Sequence, residues 1–306
     1  MKAKLLGGFF GLGLIAMVLL GMKSDYQDNL GIESHLNLEY YTGPDADADK
    51  HKLDLYLPDN KAEAPLLLWI HGGAWVTGGR KQEAGLAKHL VAKGVGVAVM
   101  SYRLSDGRWM NPNFTGSAKH PDHIQDCARA LAWLKKQAKE YGYDPQNLFV
   151  GGYSAGGHLS ALMCMDEQYL KAEGLSFADL KGAVPMAGAY DMVAYYNTHV
   201  EANGKEMADS HVLGVFGELD DVKQASPTEY IDASIIPMLV VSETDTYDYT
   251  KVLEDKVGDK SHIEFYHVRD KNHSALYLDM ARNADSEHTQ AIAQYILRVS
   301  HEEMTK

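Results

Sequence analysis

The residues best suited to do chemistry are a serine, a carboxylate and a histidine in the second half of the chain and a glycine-rich turn in the first. Ser154 lies in Gly152-Tyr153-Ser154-Ala155-Gly156, a G-x-S-x-G spacing. A serine at the tip of a sharp strand-to-helix turn occupies a strained backbone conformation, and bulky residues two positions away would collide across it. Glycine at both places removes the collision and leaves the hydroxyl exposed. The helix that follows points its free amides at the serine, where negative charge gathers during acyl transfer. The bland alternative is a glycine-rich turn whose serine caps a helix. The flanks favour a nucleophile, because residues 148–150 read as a strand and residues 155–165 as a helix.

A serine hydroxyl attacks a carbonyl only when a base takes its proton. Of the 14 histidines, His273 in Asp270-Lys271-Asn272-His273-Ser274 is the one that follows the last expected strand. Such a base needs a carboxylate behind it, to fix its tautomer and stabilise the imidazolium. Asp245, after the preceding strand, is the predicted acid; Glu243 and Asp248 compete with it in the same turn. The order serine, acid, histidine is that of a strand-turn-helix nucleophile on a parallel sheet.

His71-Gly72-Gly73-Ala74-Trp75 directly follows a continuously apolar run. Glycines there allow backbone amides to approach a developing oxyanion closely, and the predicted donors are the amides of Gly73, Ala74 and Ala155. Trp75, Trp109 and Tyr153 are candidates to line a substrate pocket. Met110 and Phe114 share the long 105–121 loop with Trp109, and lid packing is an equal reading of these side chains. His158 reads as structural, under the turn. Asp126 is expected to bond the loop at Tyr102 or Arg103. Glu218, Asp220 and Asp221 read as a solvated acidic loop. The Asp45-to-Asp49 alternation lacks the glycine and distal glutamate of a calcium loop and reads as a solvated turn.

The elements that must position these groups follow from the apolar pattern. Strands are expected at residues 35–41, 52–57, 65–70, 95–100, 148–150, 182–186, 238–241 and 262–268. The first two form an antiparallel hairpin at the sheet edge. Helices are expected at 82–93, 122–141, 155–165, 247–256 and 287–300, while 190–230 read as irregular and polar and 269–274 as a loop. Alternating strands and helices predict an α/β fold, a mainly parallel twisted sheet of about eight strands with helices on both faces. In such a sheet functional groups collect at the carboxyl ends of the strands. His71, Ser154, Asp245 and His273 all fall there.

With 306 residues, 45% of them hydrophobic, the chain can bury one large core. A formal charge of −13 argues against a nucleic-acid surface. Cys127 and Cys164 lie in helical patterns that favour buried thiols, with a disulfide left open, and neither has histidine at metal-ligand spacing. No metal or cofactor is expected. Lys2 and Lys4 precede an apolar stretch, residues 5–21. It is longer than a usual signal core of about 7–15 residues and near the lower limit of about 17 for a membrane span. Residues 1–22 therefore read as a signal peptide or an N-terminal membrane anchor, 23–34 as a tether and 35–306 as one catalytic domain. The expected location is extracytoplasmic, periplasmic or secreted, with or without a membrane tether. The oligomeric state is left open.

The motifs His71-Gly72-Gly73-Ala74-Trp75, Tyr102-Arg103-Leu104, His120-Pro121 through Asp126, Ala130-Leu131-Ala132-Trp133-Leu134 and Gly152-Tyr153-Ser154-Ala155-Gly156-Gly157-His158 together resemble the α/β-hydrolase esterases. They are similar to the carboxylesterase branch near hormone-sensitive-lipase-like esterases, feruloyl-type esterases, prenylcysteine methylesterases and kynurenine formamidases. The resemblance covers roughly residues 35–300. It implies an α/β-hydrolase fold and a triad at Ser154, Asp245 and His273. Two departures stand out: Ala74 replaces a third glycine, and the segment from 237 to 245 is a residue short and lacks the glycine usual before the acid. The expected activity is hydrolysis of carboxylic esters with small or medium acyl groups, acting on a small-molecule ester. An arylformamidase-type amidase and a non-catalytic binding protein on the same fold are the rival expectations.

Overall fold

The computed structural model describes residues 31–302. The expected signal or anchor segment, and the tether up to residue 30, lie outside the described residues. Eight strands, β1 (Glu33–Glu39), β2 (Lys52–Leu57), β3 (Leu66–Ile70), β4 (Gly96–Met100), β5 (Leu148–Tyr153), β6 (Gly182–Met186), β7 (Met238–Ser242) and β8 (Ile263–His267), form one sheet in the order β1-β2-β4-β3-β5-β6-β7-β8. The β1–β2 hairpin is antiparallel, as expected, and β2 joins β4 antiparallel; all later pairings are parallel.

A parallel strand covered on both faces needs apolar side chains on both. In β3, Leu66, Leu68 and Ile70 enter one core with the helices Asp122–Tyr141 and Ala155–Met165, while Leu67 and Trp69 enter the other with Ala84–Val91 and Glu287–His301. This is why residues 66–70 are apolar without alternation. Cys127 and Cys164 are free thiols buried in the first core. Among the described residues no helix is long and apolar enough to cross a membrane.

Two segments differ from expectation. Residues 190–230 are not irregular. The helix Met192–Asn203 starts at Asp191, whose side chain accepts from the Ala194 amide at 3.0 Å, and shorter helical turns continue to Phe216. Its buried residues include Tyr195, Tyr196 and His199, whose polar tips disguise the apolar face. Glu218 and Asp221, expected to be simply solvated, form a reciprocal cap on the helix Leu219–Gln224. The second difference follows β8. His273 does not sit in a loop but opens the helix His273–Arg282, where the Asn272 side chain accepts from the Ala275 amide at 2.9 Å.

Asp126 does bond the loop after β4. It accepts from the Arg103 backbone amide at 3.0 Å and from the guanidinium at 2.8 and 2.9 Å, and His51 and Arg129 meet the same carboxylate. Asp45 joins this cluster through Arg103 at 3.0 Å, so that turn is anchored rather than merely solvated.

Candidate active site

Ser154 stands between β5 and the helix Ala155–Met165 with φ 58° and ψ −116°. A non-glycine residue in that region is strained and persists only where its surroundings hold it. Here the Ser154 amide donates to Met186 O at 2.9 Å and its carbonyl accepts from the His158 amide at 3.0 Å. The glycine spacing has its expected cause. A Cβ on Gly152 would fall 2.5 Å from Ile70 O, and one on Gly156 closer still. The elbow is pressed against the end of β3, and only glycines fit.

The turn after β3 lies against this serine. A Cβ on Gly72 would come within 2.9 Å of Tyr153 O and 3.1 Å of the Ser154 Cβ. Gly73, Ala74 and Trp75 have φ of 114°, 51° and 61°, so three successive residues turn left-handed. The strain is held by Val76 and Thr77 amides donating to Gly73 O at 3.0 Å and by the Ser105 amide donating to Trp75 O at 2.9 Å. Beneath the turn His71 stacks on Tyr102 with ring centroids 4.2 Å apart. Burial lowers its pKa to about 3, and the neutral ring donates from Nδ1 to Gly72 O at 2.6 Å. Ala74 and Ala155 line one cavity with Ser154 and His273; Gly73 lines a second, smaller one that touches the same two residues. The three residues whose amides are the predicted donors thus line cavities beside the serine.

The carboxylate at the histidine is Glu243, not Asp245. His273 Nδ1 lies 2.9 Å from Glu243 Oε1, with the glutamate wholly buried. Asp245 is exposed and meets His273 only at its backbone amide, from which it accepts at 3.2 Å; its other oxygen accepts from the Thr244 hydroxyl at 3.3 Å. The reason is where the chain leaves the sheet. β7 ends at Ser242, so Glu243 is the first residue past it and still faces inward, whereas the following turn carries Asp245 and Asp248 out to solvent. The orientation of Glu243 is fixed by the Asp245 amide donating to Oε2 at 2.6 Å and the Thr246 hydroxyl donating to Oε1 at 2.8 Å. The other side of the base is fixed too: the Tyr153 hydroxyl donates to His273 O at 2.7 Å.

The larger cavity has a volume of about 210 Å³. Trp75, Trp109 and Met110 line it, as expected; Tyr153 does not, facing the smaller cavity, and Phe114 packs against the core. The wall that sequence reasoning missed comes from the helical segment after β6: Tyr195, His199, Asn203, Met207 and His211. No Asp, Glu, Lys or Arg lines this cavity among the described residues. Its buried imidazoles are neutral, because burial lowers the His199 pKa to about 4 and that of His211 to about 3. His158 is structural, as expected. Burial keeps it neutral and it donates to Ala225 O at 2.7 Å beneath Trp75. Among the described residues no group of three or more His, Cys, Asp or Glu is disposed to hold a metal ion.

Behind the base lies a further buried carboxyl. Glu83 accepts from Trp69 Nε1 and from the Tyr277 hydroxyl, each at 3.0 Å, and Tyr277 belongs to the helix that His273 opens.

An eight-stranded, mostly parallel sheet carrying a serine elbow at the end of its fifth strand defines the α/β-hydrolase fold. The BD-FAE family model matches residues 53–248, and the chain belongs to this family. It is 40% identical over 137 residues to a protein of Mycobacterium tuberculosis named probable carboxylic ester hydrolase LipM, covering 44% of this chain and 30% of that one. It is 26% identical over 284 residues to a probable isoprenylcysteine alpha-carbonyl methylesterase of Arabidopsis thaliana, covering 85% and 56%. The chain therefore spans only 30% and 56% of the length of these two relatives. Among solved structures, a truncated carbohydrate esterase from gut microbiota has a TM-score of 0.70 at 21% identity, covering 90% of this chain and 99% of that one. Esterase B of Lactobacillus rhamnosis also has a TM-score of 0.70, at 20% identity, covering 88% and 86%.

Proposed function

We propose that the protein is a serine hydrolase of carboxylic esters. The observation that carries this reading is the 2.9 Å contact between His273 Nδ1 and buried Glu243, at a histidine that shares a cavity with the elbow serine. Glu243 holds the imidazole with Nδ1 protonated, leaving Nε2 as the base. His273 takes the Ser154 proton as Oγ attacks the ester carbonyl. The amides of Gly73, Ala74 and Ala155 receive the oxyanion. His273 then returns the proton to the departing alcohol, and water, deprotonated by the same ring, releases the acid. The names of the relatives support ester hydrolysis, and the 210 Å³ of the cavity supports small or medium acyl groups. Residues 1–22 direct the domain out of the cytoplasm, a reading that rests on Lys2, Lys4 and the apolar stretch after them.

Labelling with a fluorophosphonate probe tests the nucleophile. The wild type reacts, and Ser154→Ala does not while remaining folded; the variant also loses about 10⁴-fold or more in p-nitrophenyl butyrate turnover. A folded wild type that neither labels nor turns over would overturn the proposal in favour of a binding protein. Fusing residues 1–30 to a reporter active only after export tests the location, and cytosolic retention would refute it.

A further inference from the structure

Glu83 immediately precedes the helix Ala84–Val91 and is 3% exposed. With Gln82 and Tyr277 it lines the smaller cavity, the one that also reaches Ser154 and His273. Burying a carboxyl costs free energy that a leucine in its place would not, unless its hydrogen bonds are made. Here they are made, and they run in two directions. One oxygen accepts from Nε1 of Trp69, on β3, two residues before the turn that begins at His71. The other accepts from the Tyr277 hydroxyl, which also reaches Gln82 O at 3.4 Å. Tyr277 follows His273 by four residues, so the two side chains share one face of the helix His273–Arg282. The ring of Tyr153, the residue before the nucleophile, packs on both, with centroids 5.0 Å from His273 and 5.5 Å from Tyr277. The far end of this helix is held against Ala84–Val91 as well. His89 Nδ1 lies 2.9 Å from Met280 O, and a Cβ on Gly85 would fall 2.4 Å from Ala281 O.

We propose that Glu83 is a positioning residue for the hydrolysis: by joining Trp69 of β3 to Tyr277, it seats the first turn of the helix that His273 opens and so sets the reach of the imidazole to Ser154. The proposal rests on the ester hydrolase reading and adds a residue to that site. Glu243 sets the orientation of the ring, whereas Glu83 sets the place of the helix that carries it. Reacting groups tolerate little displacement, and an error of about 1 Å introduced away from the chemistry can cost about 10²-fold in rate.

Steady-state kinetics on p-nitrophenyl butyrate test this in Glu83→Leu, Glu83→Gln, Tyr277→Phe and the double variant Glu83→Leu/Tyr277→Phe, each shown to be folded by circular dichroism. Glu83→Leu is expected to lose about ten- to a hundredfold in kcat while KM stays within about threefold. Tyr277→Phe falls in the same direction. The double variant loses no more than Glu83→Leu alone, because both substitutions cut one connection. Glu83→Gln keeps an oxygen for Trp69 and turns its amide nitrogen to the Tyr277 oxygen, and it recovers most of the rate. A carboxyl that served packing alone would change the denaturation midpoint and leave kcat of the folded protein where it was. A wild-type kcat in folded Glu83→Leu therefore overturns the proposal, as do losses that multiply in the double variant or a Glu83→Gln as slow as Glu83→Leu. Should Glu83→Leu not fold, Tyr277→Phe decides, and a wild-type kcat there overturns it. Variants as active as an active wild type leave the esterase reading standing, whereas a wild type that neither turns over nor labels ends both.

Discussion

Glu243 touches the imidazole of His273 and Asp245 touches only its backbone amide, although a single residue, Thr244, separates them in the chain. The distinction predicts a sharp contrast. Replacing the acid by its amide leaves the packing in place but favours the wrong tautomer of the histidine, and in this class of site that costs about 10³–10⁴-fold in kcat. Glu243→Gln should show such a loss against p-nitrophenyl butyrate, while Asp245→Asn, which keeps an acceptor for the amide, stays close to wild type. Steady-state kinetics on the pair decides the matter; a severe loss in the aspartate variant alone would return the role to Asp245.

Glu83 predicts a pH-dependent stability. Burial raises its pKa from 4.5 to about 7, against the Trp69 and Tyr277 hydrogen bonds that lower it. The folded protein thus keeps a proton that the unfolded chain releases. The resulting stabilisation is complete below pH 4.5 and is lost as pH rises through about 7. Its size is about 3 kcal/mol for a shift of this extent. Urea unfolding between pH 4.5 and 8 should give wild-type and Glu83→Gln curves that diverge, with the variant gaining relative stability toward the alkaline end. Parallel curves would mean that Glu83 ionises alike in both states.

The elbow predicts a backbone effect without loss of any chemical group. Gly156→Ala places a Cβ against Ile70 O, and backbone on both sides leaves little room to give. Overpacking of this kind costs about 1–3 kcal/mol. It should also displace Ser154 and so slow fluorophosphonate labelling well beyond what the fall in denaturation midpoint accounts for. Labelling at the wild-type rate would show that the turn relaxes freely.

The sheet and the elbow were legible because their constraints are local. β3 is apolar at every position since both of its faces are covered, and the helix Ala155–Met165 begins where the glycines end. Glu243 was harder to choose. Three carboxylates follow β7 within a few residues, and which one faces inward depends on where the turn departs, a tertiary matter. The segment after β6 was misread because tyrosine and histidine bury their rings while counting as polar. The helix at His273 did carry a signal, an Asn272 cap followed by inward Leu276 and Met280, but it was short enough to pass for loop.

The left-handed run at Gly73, Ala74 and Trp75 ties two duties to one stretch of chain. Ala74, proposed as an oxyanion donor, and the next residue, Trp75, both line the larger cavity beside Ser154. Any substitution that relaxes the twist therefore shifts the cavity wall and the proposed oxyanion donor together. The segment between β6 and β7 is tied to the same turn, because His158 on the helix after Ser154 donates to Ala225 O and Phe216 packs on Trp75.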